Sequence, residues 1–223
     1  MEKLIKATKP FKFYTRLHLS ELTGRKASNL KQLVDIMRTM PESSIYHHTH
    51  RFLQQHQYLS PEPPNDFAYW VTSVLGEEKL GERLASIDTV QFTTIQELQN
   101  KIISTIETYI KSNAKAAIRY AHENEEFHFM KSVSFILPTQ YAATDLVEFA
   151  GILKKVGIDS IYFHIFEARL RLGKKTNDFS NWIETSLGNK ELASKILKLD
   201  PYTYTLEDLR KTLIRIIEKS LKR

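Results

Sequence analysis

The chain contains itself twice, and this constrains its fold more than any figure of composition. Phe11-Lys12-Phe13 aligns with Phe127-His128-Phe129. The register then holds without a gap through Thr23 and Thr139, Ala27 and Ala143, Leu30 and Leu146, and Ile36 and Ile152. It reaches Ser44, Ile45, Tyr46 and His48 against Ser160, Ile161, Tyr162 and His164 at a constant offset, 164 − 48 = 116. After a shortening by four residues, Asn65-Asp66-Phe67, Trp70, Leu80 and Asp88 meet Asn177-Asp178-Phe179, Trp182, Leu192 and Asp200, where 200 − 88 = 112. Each copy is therefore read as one structural unit. The repeat is also an internal control, because a residue kept in both copies serves something both copies need.

Helical periodicity dominates each copy. Leu30, Leu33, Val34 and Met37, like Leu146, Phe149, Ala150 and Leu153, follow the i, i+3, i+4, i+7 spacing of an amphipathic helix. Asn29 and Asp145 stand where an N-cap accepts a main-chain N–H. A second helix starts near Ser44 and Ser160. A third is opened by Asn65-Asp66 and Asn177-Asp178, and carries Trp70 and Trp182. A fourth spans 80–87 and 192–199. The last opens on Thr94 with Glu97, and on Thr205 with Asp208, a capping-box pattern.

The F-x-F openings fit two readings. Phe127, Phe129, Val133, Phe135 and Leu137 include strand-like alternation, while Phe127, Met130 and Val133 suit a helix. Gly24 would end a short helix, although Gln140 occupies its place in the second copy. The expected fold is mainly α, with two tandem copies of a five-helix unit of about 100 residues, a normal domain size. The copies span 11–110 and 127–223, packed with pseudo-twofold symmetry, each opening on a short F-x-F element. Residues 111–126 lack Gly and Pro, include Ala114, Ala116, Ala117 and Ala121, and read as a helical connector.

Composition narrows the function classes. Cysteine is absent, which removes disulfides, thiolate metal sites and cysteine nucleophiles and suits the cytoplasm. No apolar run approaches the ~20 residues of a membrane span, and no apolar stretch follows the N-terminal lysines as in a secretory signal. The net charge of +6 raises nucleic acid as an alternative partner. It is not favoured, because the basic residues are spread as on solvated helix faces.

Chemistry could sit in the histidine-rich segment. His47 and His50 are three residues apart, share a helix face, and could contribute to a zinc or iron site if further ligands were present. His56 follows. The second copy has Phe163, Phe166 and Leu172 at these positions, so a packed row of histidines is the preferred reading. Tyr46, His48, Asn65 and Asp66 do recur, as Tyr162, His164, Asn177 and Asp178. A residue kept twice is usually structural, and a hydrogen-bonded network between helices is expected, with His48 and His164 meeting the Asn-Asp pairs. Twin binding sites, or an acid–base pair of His48 and Asp66, are the alternatives. The Ser60-Pro61-Glu62-Pro63-Pro64 insertion and Tyr58 are unique to the first copy and mark residues 46–66 as its specialised surface.

The strings TGRKASNL, SIYHHTHRFLQQHQYLSPEPPNDFAYWV, SIYFHIFEARL and NDFSNWIETSLG resemble an uncharacterised prokaryotic family of unknown function. The resemblance covers nearly all of 11–223. It implies a tandem unit and a loose association with glycosyltransferases and storage-carbohydrate enzymes, and brings no catalytic residue or cofactor. The expectation is a non-catalytic helical binding or adaptor protein for a protein or carbohydrate-related ligand, bound by Tyr46, His47, His48, His50, His56 and Asp66. A metal- or His/Asp-dependent enzyme centred on 46–66 is the alternative.

Overall fold

The structure is a computed structural model, and it describes residues 5–51, 65–168, 170, 176–199 and 205–222. The F-x-F openings are the beginnings of two 17-residue strands, β1 (Phe11–Ala27) and β2 (Phe127–Ala143), paired in a two-stranded sheet. The pairing is antiparallel, because Phe13, His18, Glu21 and Lys26 meet Thr139, Ser134, Lys131 and Glu126 in reversed order. The expectation of a mainly α fold with short opening elements is thus corrected to α+β. Sequence alternation underestimates these strands because their middles are exposed and carry no apolar-in, polar-out pattern. Gly24 ends no helix. It lies inside β1 at φ 74°, a left-handed conformation that glycine adopts without a Cβ penalty.

After β1 come α1 (Leu30–Met37), α2 (Glu42–Tyr46), a π-helical turn (His47–Arg51), α3 (Asp66–Ser73), α4 (Glu78–Ala85), a short 3-10 turn (Thr89–Gln91), α5 (Ile95–Ser112) and α6 (Ala114–Ala117). After β2 come α7 (Leu146–Leu153), α8 (Ile158–Ile165), α9 (Asp178–Leu187), α10 (Lys190–Leu197) and α11 (Leu206–Leu221). Their starts follow the expected caps. Asn29, Asn65, Thr94, Asp145, Asn177 and Thr205 each accept a main-chain N–H from the first turn. Within 111–126, α5 ends at Ser112, Asn113 leaves helical geometry, and residues 118–126 run without helix.

The chain divides into two compact units, and the strands pass from one to the other. Among the described residues, 5–17 and 135–222 form one unit, here the Trp182 unit, and 18–51 with 65–134 form the Trp70 unit. In the Trp182 unit, Phe11 and Phe13 enter a core with Phe149, Phe179, Trp182 and Leu213. Phe11 lies edge-on to Trp182 at 5.5 Å between ring centres. In the Trp70 unit, Phe127 stacks on Phe67 at 5.1 Å and meets Trp70 edge-on at 5.7 Å. Each unit therefore takes its central phenylalanines from the strand opening that lies in the other sequence copy. Burying rings of this size supplies a large share of a small core's stabilisation.

Candidate functional site

The repeated polar residues meet at the outer edge of the strands. A two-stranded sheet leaves a row of main-chain N–H and C=O groups facing away from the partner strand, and buried ones must be satisfied. In the Trp70 unit the main chain of Met130 is held from both sides. Its N–H donates to His48 Nε2 at 2.9 Å, and its carbonyl accepts from Ser44 Oγ at 2.6 Å. In the Trp182 unit Tyr14 is held the same way, its N–H donating to His164 Nε2 at 2.9 Å and its carbonyl accepting from Ser160 Oγ at 2.6 Å. Serine and histidine stand four residues apart, so one helix face presents both. Together they imitate the edge of a neighbouring strand.

The aspartates set the tautomer. Asp66 Oδ2 lies 2.7 Å from His48 Nδ1, and Asp178 Oδ2 lies 2.6 Å from His164 Nδ1. A carboxylate there accepts from Nδ1–H and leaves the Nε2 lone pair for the strand N–H. Both histidines are buried. The neighbouring asparagines have another task. Asn65 and Asn177 cap α3 and α9 through Ala68 N and Ser180 N, and Asn65 Nδ2 also donates to Leu84 O. Each tryptophan indole completes the arrangement further along, Trp70 donating to Glu125 O and Trp182 to Lys9 O.

The other described histidines of the first copy lie beside this set, with His47 edge-on to His48 at 5.0 Å between ring centres. Tyr46 is sandwiched between His18, at 5.3 Å between ring centres, and His50, at 5.4 Å and nearly parallel. Tyr46 OH is 3.2 Å from His18 Nε2, and Ser134 Oγ is 2.8 Å from His18 Nδ1. His47 Nδ1 lies 3.1 Å from Ser132 Oγ. Thr49 Oγ1 spends its proton on Ile45 O, so His50 Nδ1, 3.0 Å away, must be the donor to it. In the Trp182 unit Phe166 stacks on Tyr162 at 4.9 Å, which shows what His50 does as a ring. Among the described residues no three histidine, aspartate or glutamate side chains are grouped to hold a metal ion. His56, Tyr58 and the proline-rich insertion lie outside the described residues. The expected site residues thus fall into two places: His48 and Asp66 at the strand edge, and Tyr46, His47 and His50 in or beside the stack. The sequence reading missed His18, Ser44 and Ser160. For the serines the signal was available, since Ser and His recur together at helical spacing.

An open, shallow cavity of about 500 Å³ lies on the surface of the Trp182 unit. It is lined by Lys9 just before β1, by Lys12 and Tyr14 in β1, and by Asn181, Trp182 and Thr185 from α9, with His164 and Asp178 at its wall. Its volume lies within the range of small-molecule sites, roughly 300–1,000 Å³. It leaves no mark in the sequence, because its two sides come from distant parts of the chain. Much of the basic charge is locally paired, as in Lys26 with Glu126, Lys154 with Glu218, and Lys211 with Asp208. None of the described helices is long and apolar enough to cross a membrane.

Fold and geometry define an α+β protein in which paired Ser–His–Asp sets close the edges of a long two-stranded ribbon. The chain belongs to the family of unknown function DUF5752, whose model matches residues 8–218. A solved structure similar to it is that of OrfY from Thermoproteus tenax. It is 28% identical with a TM-score of 0.81, covering 97% of this chain and 98% of that one. No curated protein matches the chain.

Proposed function

We propose that the chain is a non-catalytic, cytoplasmic binding or adaptor protein that arose by internal duplication. Its repeated motifs are scaffold, and its ligand site is the cavity beside Trp182. The observation that carries this reading is the engagement of His164. A general base must offer its lone pair to a substrate proton. His164 Nε2 instead accepts from Tyr14 N, while Nδ1 faces Asp178, and His48 is held in the same way. The most enzyme-like residues are thus committed to the strands. The lining combines the partly exposed Tyr14 and the largely buried Trp182 with the amide of Asn181 and the hydroxyl of Thr185, residue types that suit a carbohydrate-related ligand.

Trp182 provides the assay. A Trp70→Phe variant leaves it as the sole tryptophan. Its emission is expected to change saturably when maltotriose, a neutral oligosaccharide, or a small organic anion such as citrate is titrated in. Emission unmoved by both probes contradicts the reading.

A further inference from the structure

The residues that line the cavity but take no part in holding the strand indicate the chemistry of its ligand. We infer that the Trp182 cavity binds a small organic anion, carrying a phosphate or carboxylate group that Lys9 and Lys12 receive. This rests on the reading of the cavity as a ligand site and adds the charge of the occupant.

Lys9 and Lys12 both line the cavity and are exposed. Lys26 on β1 and Lys131 on β2 have carboxylate partners, Glu126 and Glu21. Neither Lys9 nor Lys12 forms an ion pair among the described residues. The one carboxylate in the lining, Asp178, is turned to His164 Nδ1 and is mostly covered. The lining thus holds two lysines against a single, already engaged carboxylate. The main chain adds a donor: because Tyr14 directs its N–H away from β2, Lys12, two residues earlier, directs its own the same way. No helix side chain receives it among the described residues, unlike the N–H of Tyr14. An anion seated there would meet one backbone donor and two cations, with Asn181 and Thr185 available to the uncharged part of the molecule.

The other sequence copy supports this. Lys9 aligns with Glu125, Lys12 with His128 and Asn181 with Tyr69. Lys9 and Glu125 do the same backbone work, each carbonyl accepting an indole N–H. Their side chains, which the scaffold does not use, carry opposite charges. The lysine pair is therefore not a by-product of the fold.

The test is an amide NMR titration of the full chain with three probes at fixed ionic strength: pyrophosphate, citrate and neutral maltotriose. Saturable shifts at Lys12, Asn181 and Thr185 are expected with pyrophosphate or citrate, and which of the two binds separates a phosphate from a carboxylate ligand. Lys9→Gln and Lys12→Gln should each weaken the anion about fivefold, as for the loss of one exposed charge contact. Lys12→Arg should restore it, and Lys79→Gln in the Trp70 unit should leave it unchanged. Saturation by maltotriose alone, indifferent to both lysine variants, overturns the anion assignment and leaves the cavity as a binding site. An anion affinity that falls equally in Lys79→Gln overturns it too, as a general charge effect. No saturable shift from any probe up to about 10 mM, enough to fill a site with a Kd near 1 mM, overturns both the anion assignment and the cavity reading.

Discussion

A histidine buried at a strand edge is worth what its absence would leave unpaired. Removing His48 strands the Met130 N–H, and removing His164 strands that of Tyr14. His48→Ala and His164→Ala should each cost about 1–3 kcal/mol, the usual penalty for a buried polar group left without a partner. Thermal or urea unfolding measures it. Glutamine at position 164 can present an oxygen to the Tyr14 N–H, so His164→Gln should lose less than the alanine variant. Two titrating groups elsewhere give pH signatures. Tyr109 donates to Glu77 Oε2 at 2.7 Å, and this hydrogen bond, with burial, raises the phenol above its ordinary range. The folded form holds that proton more tightly, so its stabilisation is intact below the ordinary tyrosine range and fades as alkaline pH rises through the folded value. Tyr109→Phe should remove this alkaline sensitivity and cost about 1 kcal/mol, one buried hydrogen bond. For Asp145, burial pushes upward but is outweighed by the Lys6 ammonium and the N–H groups of Glu148 and Val147, so its carboxyl is held below the usual aspartate range. Its contribution is present above the unfolded aspartate value and is lost as pH falls through the folded one. Asp145→Asn should flatten the acid limb of the stability curve.

At the scale of elements, the helices were readable and the strands were not, for a physical reason. A helix declares itself through local spacing and caps, and α1, α3, α5, α7, α9 and α11 begin where Asn, Asp or Thr stood ready to accept. A strand whose middle is exposed has no such local signal. Leu17, Leu19, Phe135 and Leu137 remain in solvent, and beyond the phenylalanines at each opening only His18, Ser132 and the terminal Ala27 and Ala143 are buried on the strands. The His–Asp contact was readable because a polar pair kept in both copies needs a shared reason. Its true recipient, the main chain of Tyr14 or Met130, was not, because backbone groups leave no mark on sequence. The repeat also explains a helix contact. A Cβ on Gly81 in α4 would come within 1.8 Å of Thr72 Oγ1 and 3.1 Å of its Cβ. The aligned positions are Ala193 and Glu184, so where the threonine is missing an alanine is present. Gly81→Ala should therefore destabilise by about 1–3 kcal/mol through overpacking, despite alanine's better helix propensity. The Thr72→Ala, Gly81→Ala pair should recover most of that loss, and unfolding curves of the single and double variants check it.

For the molecule as a whole, the exchange of strand openings decides which pieces of chain can fold. Phe127 and Phe129 belong to the core of the Trp70 unit, and Phe11 and Phe13 to that of the Trp182 unit. A fragment of residues 18–134 keeps its phenylalanines and its Ser44–His48–Asp66 set, and should melt cooperatively. A fragment of residues 11–110 keeps the helices but loses the buried rings and the strand its histidine holds, and should not. If the repeated motifs serve the strands, amide hydrogen exchange on the intact chain will show it. The N–H groups of Tyr14 and Met130 point away from the partner strand, yet each has a buried histidine as acceptor. They should exchange as slowly as core helix amides, and His164→Ala and His48→Ala should each release the one that its histidine held. Rapid exchange at Tyr14 and Met130 in the unaltered protein, at the rate of exposed strand edges, would mean that the histidines do not hold the strands.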